Sequence, residues 1–241
     1  MLAVVAAFQD EIKDYLTTGD FRIAARGDAA RFYLSEKEPE VIVVEGAIGR
    51  HRAQDATTEL IARYKPDFIL SAGFAGGVRA GLSPGDLFVG GLLLSIDGPA
   101  VFWGAADVTE HQLREEPVLN ALVCGPEDES QAGVACGCLS VPQVVSSPLM
   151  KAWIGSTFPV SIIDMESFWV CQTAAASGIP HGMVRSVLDP MEQALPSYVG
   201  RVVEEGSRPS WIRMVKGALT TPTEIPRLIH LTWQVRAARA S

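Results

Sequence analysis

The sequence predicts an α/β protein, a sheet covered on both faces by helices, and three observations lead there. Short apolar runs recur through the chain, each β-branched and bounded by Gly, Pro or Asp: "LAVVAAF", "EVIVVEG", "DFILSAG", "GDLFVGGLLL", "GVACGCLSV", "PVSIID" and "HGMVRSVLD". Runs of this kind read as strands. Amphipathic segments separate several of them, and strands alternating with helices imply a sheet with helices on both sides. Finally, 241 residues of which 48% are hydrophobic are enough for one large core.

Taken in order, the opening "MLAVVAAFQDEIKDY" is apolar for its first eight residues and has no basic leader. It is expected to be a first strand and not a signal peptide. Arg52 to Tyr64 places Ala53, Ala56, Leu60, Ile61 and Tyr64 near helical spacing. Phe168 to Ala176 reads as a second helix, stopped by Ser177-Gly178-Ile179-Pro180. No internal repeat or linker divides the body, so residues 1–241 are expected to form a single domain. From Arg201 to Ser241 the tail turns basic, with Arg201, Arg208, Arg213, Lys216, Arg227, Arg236 and Arg239 against Glu204, Glu205 and Glu224. Its apolar residues fall in two blocks parted by "TTPTEIP", which predicts a helical extension packed on the body, with a membrane surface as the alternative.

Composition excludes several classes. A formal charge of −8 lacks the basic footprint that nucleic acid requires, and no run reaches transmembrane length. Neither Cys124, Cys136, Cys138 and Cys171 nor His51, His111, His181 and His230 show metal-ligand spacing. No metal, cofactor or disulfide is expected, and a cytoplasmic location fits this composition.

Three carboxylates stand at strand exits: Glu11 after "VVAAFQD", Glu166 in "SIIDMES" and Asp189 after "MVRSVL". Strand ends that open into helices are where α/β folds place ligands. Ser71 to Gly77, "SAGFAGG", adds a glycine-rich turn that lets backbone approach a ligand, without the pattern of a P-loop or a dinucleotide fingerprint. Each residue also has a purely structural alternative: a helix cap at Asp164 or Glu166, a salt bridge at Arg185, a turn at Asp189 before Pro190.

In this order "AAFQDEI", "EGAIGRHRA", "KPDFILSAGFAGGV", "PGDLFVG", "IIDMES" and "VRSVLDP" resemble the nucleoside phosphorylase and nucleosidase superfamily, most closely its methylthioadenosine/S-adenosylhomocysteine nucleosidase branch. The resemblance covers roughly residues 1 to 190. It implies a three-layer α/β/α sandwich around a mixed, partly barrel-like sheet, a homodimer, and cleavage of a ribosyl C–N bond. Such cleavage builds positive charge on the sugar while electrons leave with the purine, so it needs an acid at the base and anionic groups at the sugar. By resemblance Asp189 protonates N7 of adenine, Glu166 grips the ribose hydroxyls with Met165 beside the sugar, Glu11 activates the water, and Arg185 positions it. Phe8, Gly73, Phe74, Ala75 and Ser147 complete the expected substrate-binding set.

Phosphorolytic relatives hold a phosphate dianion with arginines and a serine near the glycine turn. Here the turn carries Ser71 and Phe74 instead, so water is the expected nucleophile and phosphorolysis the alternative. Arg50 and Arg52 are the remaining candidates for phosphate, with a solvated helix start as the simpler reading. Leu188 stands where a serine usually precedes the aspartate, and Phe74 replaces a second serine. These departures and the long tail look more like the hopanoid-associated branch, which resembles a nucleosidase removing adenine from adenosylhopane. An inactive nucleoside-binding member is the remaining alternative.

Overall fold

A computed structural model of the chain describes residues 1–46, 48–98, 108–113, 136–196 and Gln234. The elements run β1 (Leu2–Ala6), α1 (Gln9–Thr18), β2 (Arg22–Arg26), β3 (Arg31–Leu34), β4 (Val41–Glu45), α2 (Arg50–Tyr64), β5 (Phe68–Gly77), β6 (Leu87–Ile96), β7 (Val108–Gln112), β8 (Cys136–Ser140), α3 (Pro148–Thr157), β9 (Ile162–Asp164), α4 (Ser167–Ala176) and β10 (His181–Asp189).

One mixed sheet holds all ten strands in the order β10-β6-β8-β9-β5-β1-β4-β3-β2, with β7 on β6. Because β10 also pairs with β5, the first five close into a barrel. The expected partly barrel-like α/β architecture is what the chain adopts. Strand β5 belongs to both halves: it lies parallel to β1 from Phe68 to Ser71 and parallel to β10 from Ile69 to Gly76, and pairs antiparallel with β9 at Gly76 and Gly77.

Period-two alternation on the central strands explains the layering. Ala3 and Val5 of β1 and Ile42 and Val44 of β4 join a core with Ala53, Ala56 and Leu60 of α2 and Phe168 and Trp169 of α4. Their alternates Val4, Ala6 and Val43 pack on Ile12 and Leu16 of α1. Ile154 of α3 covers Leu94 and Leu139 of the barrel strands β6 and β8. Helix α2 buries the predicted Ala53, Ala56 and Leu60 and ends at Lys65, whose φ of 48° is left-handed. Among the described residues no helix is long and apolar enough to cross a membrane. Of the predicted extension, only Gln234 is described; it is helical and buried, and exchanges amide hydrogen bonds with Gln193, one of them 2.8 Å.

Candidate active site

In "SIIDMES" the two carboxylates take different tasks. Asp164 ends β9 and caps α4: its Oδ2 accepts from the Ser167 N–H at 2.9 Å and from the Ser167 hydroxyl, and its Oδ1 accepts from Ser140 Oγ at 2.6 Å. Glu166 holds the N-cap position of α4, but its side chain makes no cap bond. Its Oε1 accepts instead from the N–H of Gly49, 117 residues away, at 2.9 Å. Gly49 has φ of 97°, a conformation that favours glycine.

Glu11 lies in the first turn of α1, not at the strand end itself. Its Oε2 reaches back to the N–H groups of Ala7 (2.8 Å) and Phe8 (3.3 Å), the carboxylate half of a capping box. Its Oε1 accepts from the Phe74 N–H of β5 at 2.9 Å. Gly73 makes room for this: a Cβ there would stand 2.4 Å from Glu11 Oε1. The Phe8 and Phe74 rings meet edge to face, 6.2 Å between centroids.

Arg185 of β10 holds these groups together. It is 3% exposed and donates through Nε to Asp164 Oδ2 at 2.9 Å, and through its Nη atoms to Ser71 Oγ at 2.9 Å and the Val184 carbonyl at 3.1 Å. The predicted salt bridge and the predicted place beside Glu11 are thus the same arginine. Burial raises the Glu11 carboxyl, with Arg185 and the three N–H donors pulling the other way. Burial also raises Glu166, reinforced by the charges of Asp164 and Glu11. At Asp164 burial is outweighed by Arg185 and the serines, so that carboxyl falls below its usual range. Burial opposes the charge on Arg185, but Asp164 and Glu11 more than restore it. Glu166 and Arg185 line a small cavity whose other walls include Val5, Ala7, Ala53, Ser71 and Val170.

Asp189 occupies a second centre. Along β10 Arg185 pairs with Gly73 and Val187 with Ala75, but a bulge at Leu188 brings Asp189 opposite Gly76. The extra residue reverses the side-chain alternation, so Asp189 faces away from the side on which Arg185 meets Glu11. Its Oδ2 accepts from Lys151 of α3, a side chain with no exposure at all. Lys151 also donates to the carbonyls of Pro190 at 3.0 Å and Gln193 at 3.1 Å. Burial pushes the Asp189 carboxyl up to about 6, with Lys151 opposing.

The structure thus brings Glu11, Glu166 and Arg185 together, with Phe8, Gly73 and Phe74 beside them. Asp189 stands at the same end of β5 and β10, three residues further along β5, roughly 10 Å at the rise of a strand. Ala75 is buried in the main core, Met165 packs on the barrel cluster, and Ser147 caps α3 through a 3.5 Å bond from the Met150 N–H. Arg50 pairs with Asp97 at 2.7 Å and stacks on Trp169, its guanidinium 4.1 Å from the ring centroid. Arg52 is exposed. Sequence reasoning missed Lys151 and read Asp164 only as a cap. The available signal was that Lys151 is the one charged residue in the helix "PLMKAWIGST".

The described residues thus form a five-stranded barrel fused to an open mixed sheet, with buried carboxyl groups around a buried arginine. Residues 1–205 match the Phosphorylase superfamily, and the chain belongs to it. It is similar to the 5'-methylthioadenosine/S-adenosylhomocysteine nucleosidase of Listeria innocua, 25% identical over 207 residues, which are 78% of this chain and 85% of that one. The nucleosidase of the same name from Staphylococcus aureus (strain bovine RF122 / ET3-1) is 26% identical over 203 residues, 78% of this chain and 86% of its own. Among solved structures, the Helicobacter pylori 5'-methylthioadenosine/S-adenosyl homocysteine nucleosidase aligns with a TM-score of 0.66 at 21% identity, covering 90% of this chain and 97% of that one. Futalosine hydrolase of the same organism aligns at 0.64 and 21%, covering 90% and 96%.

Proposed function

We propose that the chain is a nucleosidase that hydrolyses the N-glycosidic bond of a 5'-substituted adenosine and releases adenine. The observation that carries this is the charge balance around Arg185: Glu11, Asp164 and Glu166 surround one guanidinium already bonded to Asp164 and Ser71. A phosphate dianion would find the guanidinium already held by Asp164 and would oppose ionisation of Glu11 and Glu166, whereas a cationic ribosyl transition state favours their ionisation and is stabilised by it. Arg50, the other candidate for phosphate, is committed to Asp97 and Trp169.

In this reading Glu166 takes the ribose hydroxyls and Glu11 accepts the proton of the attacking water, its raised proton affinity suiting it to that task. Arg185 fixes the register of both carboxylates. Asp189 delivers the proton to the purine. The nucleosidases named above support methylthioadenosine or S-adenosylhomocysteine as substrate. Leu188, Phe74 and the basic tail support a lipid-linked 5'-adenosine such as adenosylhopane. A cytoplasmic homodimer belongs to the same proposal, supported by the exposed Leu149 and Trp153 on α3.

The test is adenine release in phosphate-free buffer from methylthioadenosine and from a long-chain 5'-alkyl adenosine. Equal rates with and without phosphate and a free reducing sugar are expected, together with a loss of about two orders of magnitude in Glu11→Gln. Phosphate-dependent turnover giving a ribose 1-phosphate would overturn hydrolysis, and no release from any such nucleoside would make the chain a binding member of the family.

A further inference from the structure

On the nucleosidase reading above, we propose that Lys151 is the positioning residue of Asp189, holding the carboxyl in place and stabilising the negative charge left on it when its proton passes to the leaving purine. The geometry is specific. Lys151 is wholly buried at the start of α3, and its three ammonium protons match three oxygens: Asp189 Oδ2 and the carbonyls of Pro190 and Gln193. A lysine side chain is almost never buried to this degree unless paired. The two carbonyls bind the ammonium whatever the state of Asp189, so the cation stays put through the proton transfer.

The step balances as follows. The C1'–N9 bond breaks with its electron pair going to the purine, the Asp189 carboxyl proton moves to the purine ring nitrogen, and the new carboxylate is left against Lys151. Water adds to the sugar and its proton goes to Glu11. Without Lys151 the same carboxylate would form in a buried site with no adjacent cation, and the acid would hold its proton more tightly. Among the described residues, the neighbours of Asp189 on β5 and β6 bring no second cation to it. Strand β5 presents Gly76, a Cβ on which would lie 3.5 Å from both carboxylate oxygens. Strand β6 pairs with β10 through Leu87 and Ser186, and the adjacent Asp86 carboxylate is bonded to the Ser83 N–H. The pull of Lys151 on Asp189 opposes burial, in the direction the proposal requires.

The experiment compares wild type, Lys151→Met and Lys151→Arg by the pH profile of kcat/KM for adenine release from methylthioadenosine, and by carboxyl 13C titration of Asp189 in ligand-free protein. In Lys151→Met the basic limb and the Asp189 titration should both move to higher pH by about one unit or more, with kcat falling about tenfold or more and KM changing little. Lys151→Arg should keep both near wild type. Unmoved titration in Lys151→Met overturns the proposal, even if wild type proves inactive on every nucleoside, which would instead defeat the nucleosidase reading. Should Lys151→Met fail to fold, Lys151→Gln retains a donor for the two carbonyls; failure of both neutral variants to fold would assign the ammonium to stability alone and overturn the proposal.

Discussion

Around Arg185 three carboxyl groups share one cation, whereas at Asp189 one carboxyl faces one ammonium. Both centres are buried, and burial raises a carboxyl in each; what differs is the neighbouring charge, which adds to the rise at Glu166 and opposes it at Asp189. In the first, burial raises Glu166, and the charges of Asp164 and Glu11 push it further in the same direction. In the second, burial raises Asp189 and its partner restrains the rise. Carboxyl groups on the two sides of a bulge therefore stand in different electrostatic surroundings, which is what the proposed division into base, sugar-binding and acid roles requires. The bulge at Leu188 is what separates them.

The largest test of this division is Asp189→Asn, which keeps the shape and loses the proton. Adenine release should fall by about two to four orders of magnitude while binding of adenine stays measurable. Turnover close to wild type would reduce the second centre to a structural ion pair.

Arg185→Met addresses the first centre through stability. Removing one partner of a buried pair leaves Asp164 uncompensated and should cost about 3–5 kcal/mol in urea unfolding. A loss of less than about 1 kcal/mol would show that Ser140 and Ser167 alone suffice for Asp164, and that the cluster is not organised by its arginine.

Glu166→Gln is read from the sign of its effect and from how that effect changes with pH. Because the native pKa of Glu166 is raised above 4.5, the wild-type protein is favoured at low pH and loses that contribution as pH rises from 4.5 through the native value. The glutamine variant lacks the penalty, so in alkaline buffer it should be more stable than wild type by several kcal/mol, about 1.4 kcal/mol for each unit by which the native value of about 8 exceeds 4.5. The advantage should vanish toward pH 4.5. An advantage that is constant with pH would mean that Glu166 is not under pressure from Asp164 and Glu11.

Much of this was written locally. The β-branched runs became β1, β4, β5, β6, β8, β9 and β10, and the spacing of Ala53, Ala56 and Leu60 gave α2 its buried face. Strands β2 and β3 escaped notice because they form a hairpin at the sheet edge, where β2 is exposed at four of its five positions and no long apolar run is needed. Glu11, Glu166 and Asp189 could be picked out by their place after apolar strand runs together with the motif order of the resemblance, and Arg185 through the resemblance of "VRSVLDP".

The sequence by itself determined the element types, the two-sided core and the residues able to do acid-base chemistry, since each depends on spacing within one segment. Tertiary structure alone decided which carboxyl does what. That Glu166 reaches Gly49, that Glu11 is fixed from β5 through Phe74, and that Lys151 lies against Asp189 are contacts between segments 38 to 117 residues apart. Proton affinity in a buried site depends on distance to other charges and on exclusion of water, and neither exists until the strands close the barrel.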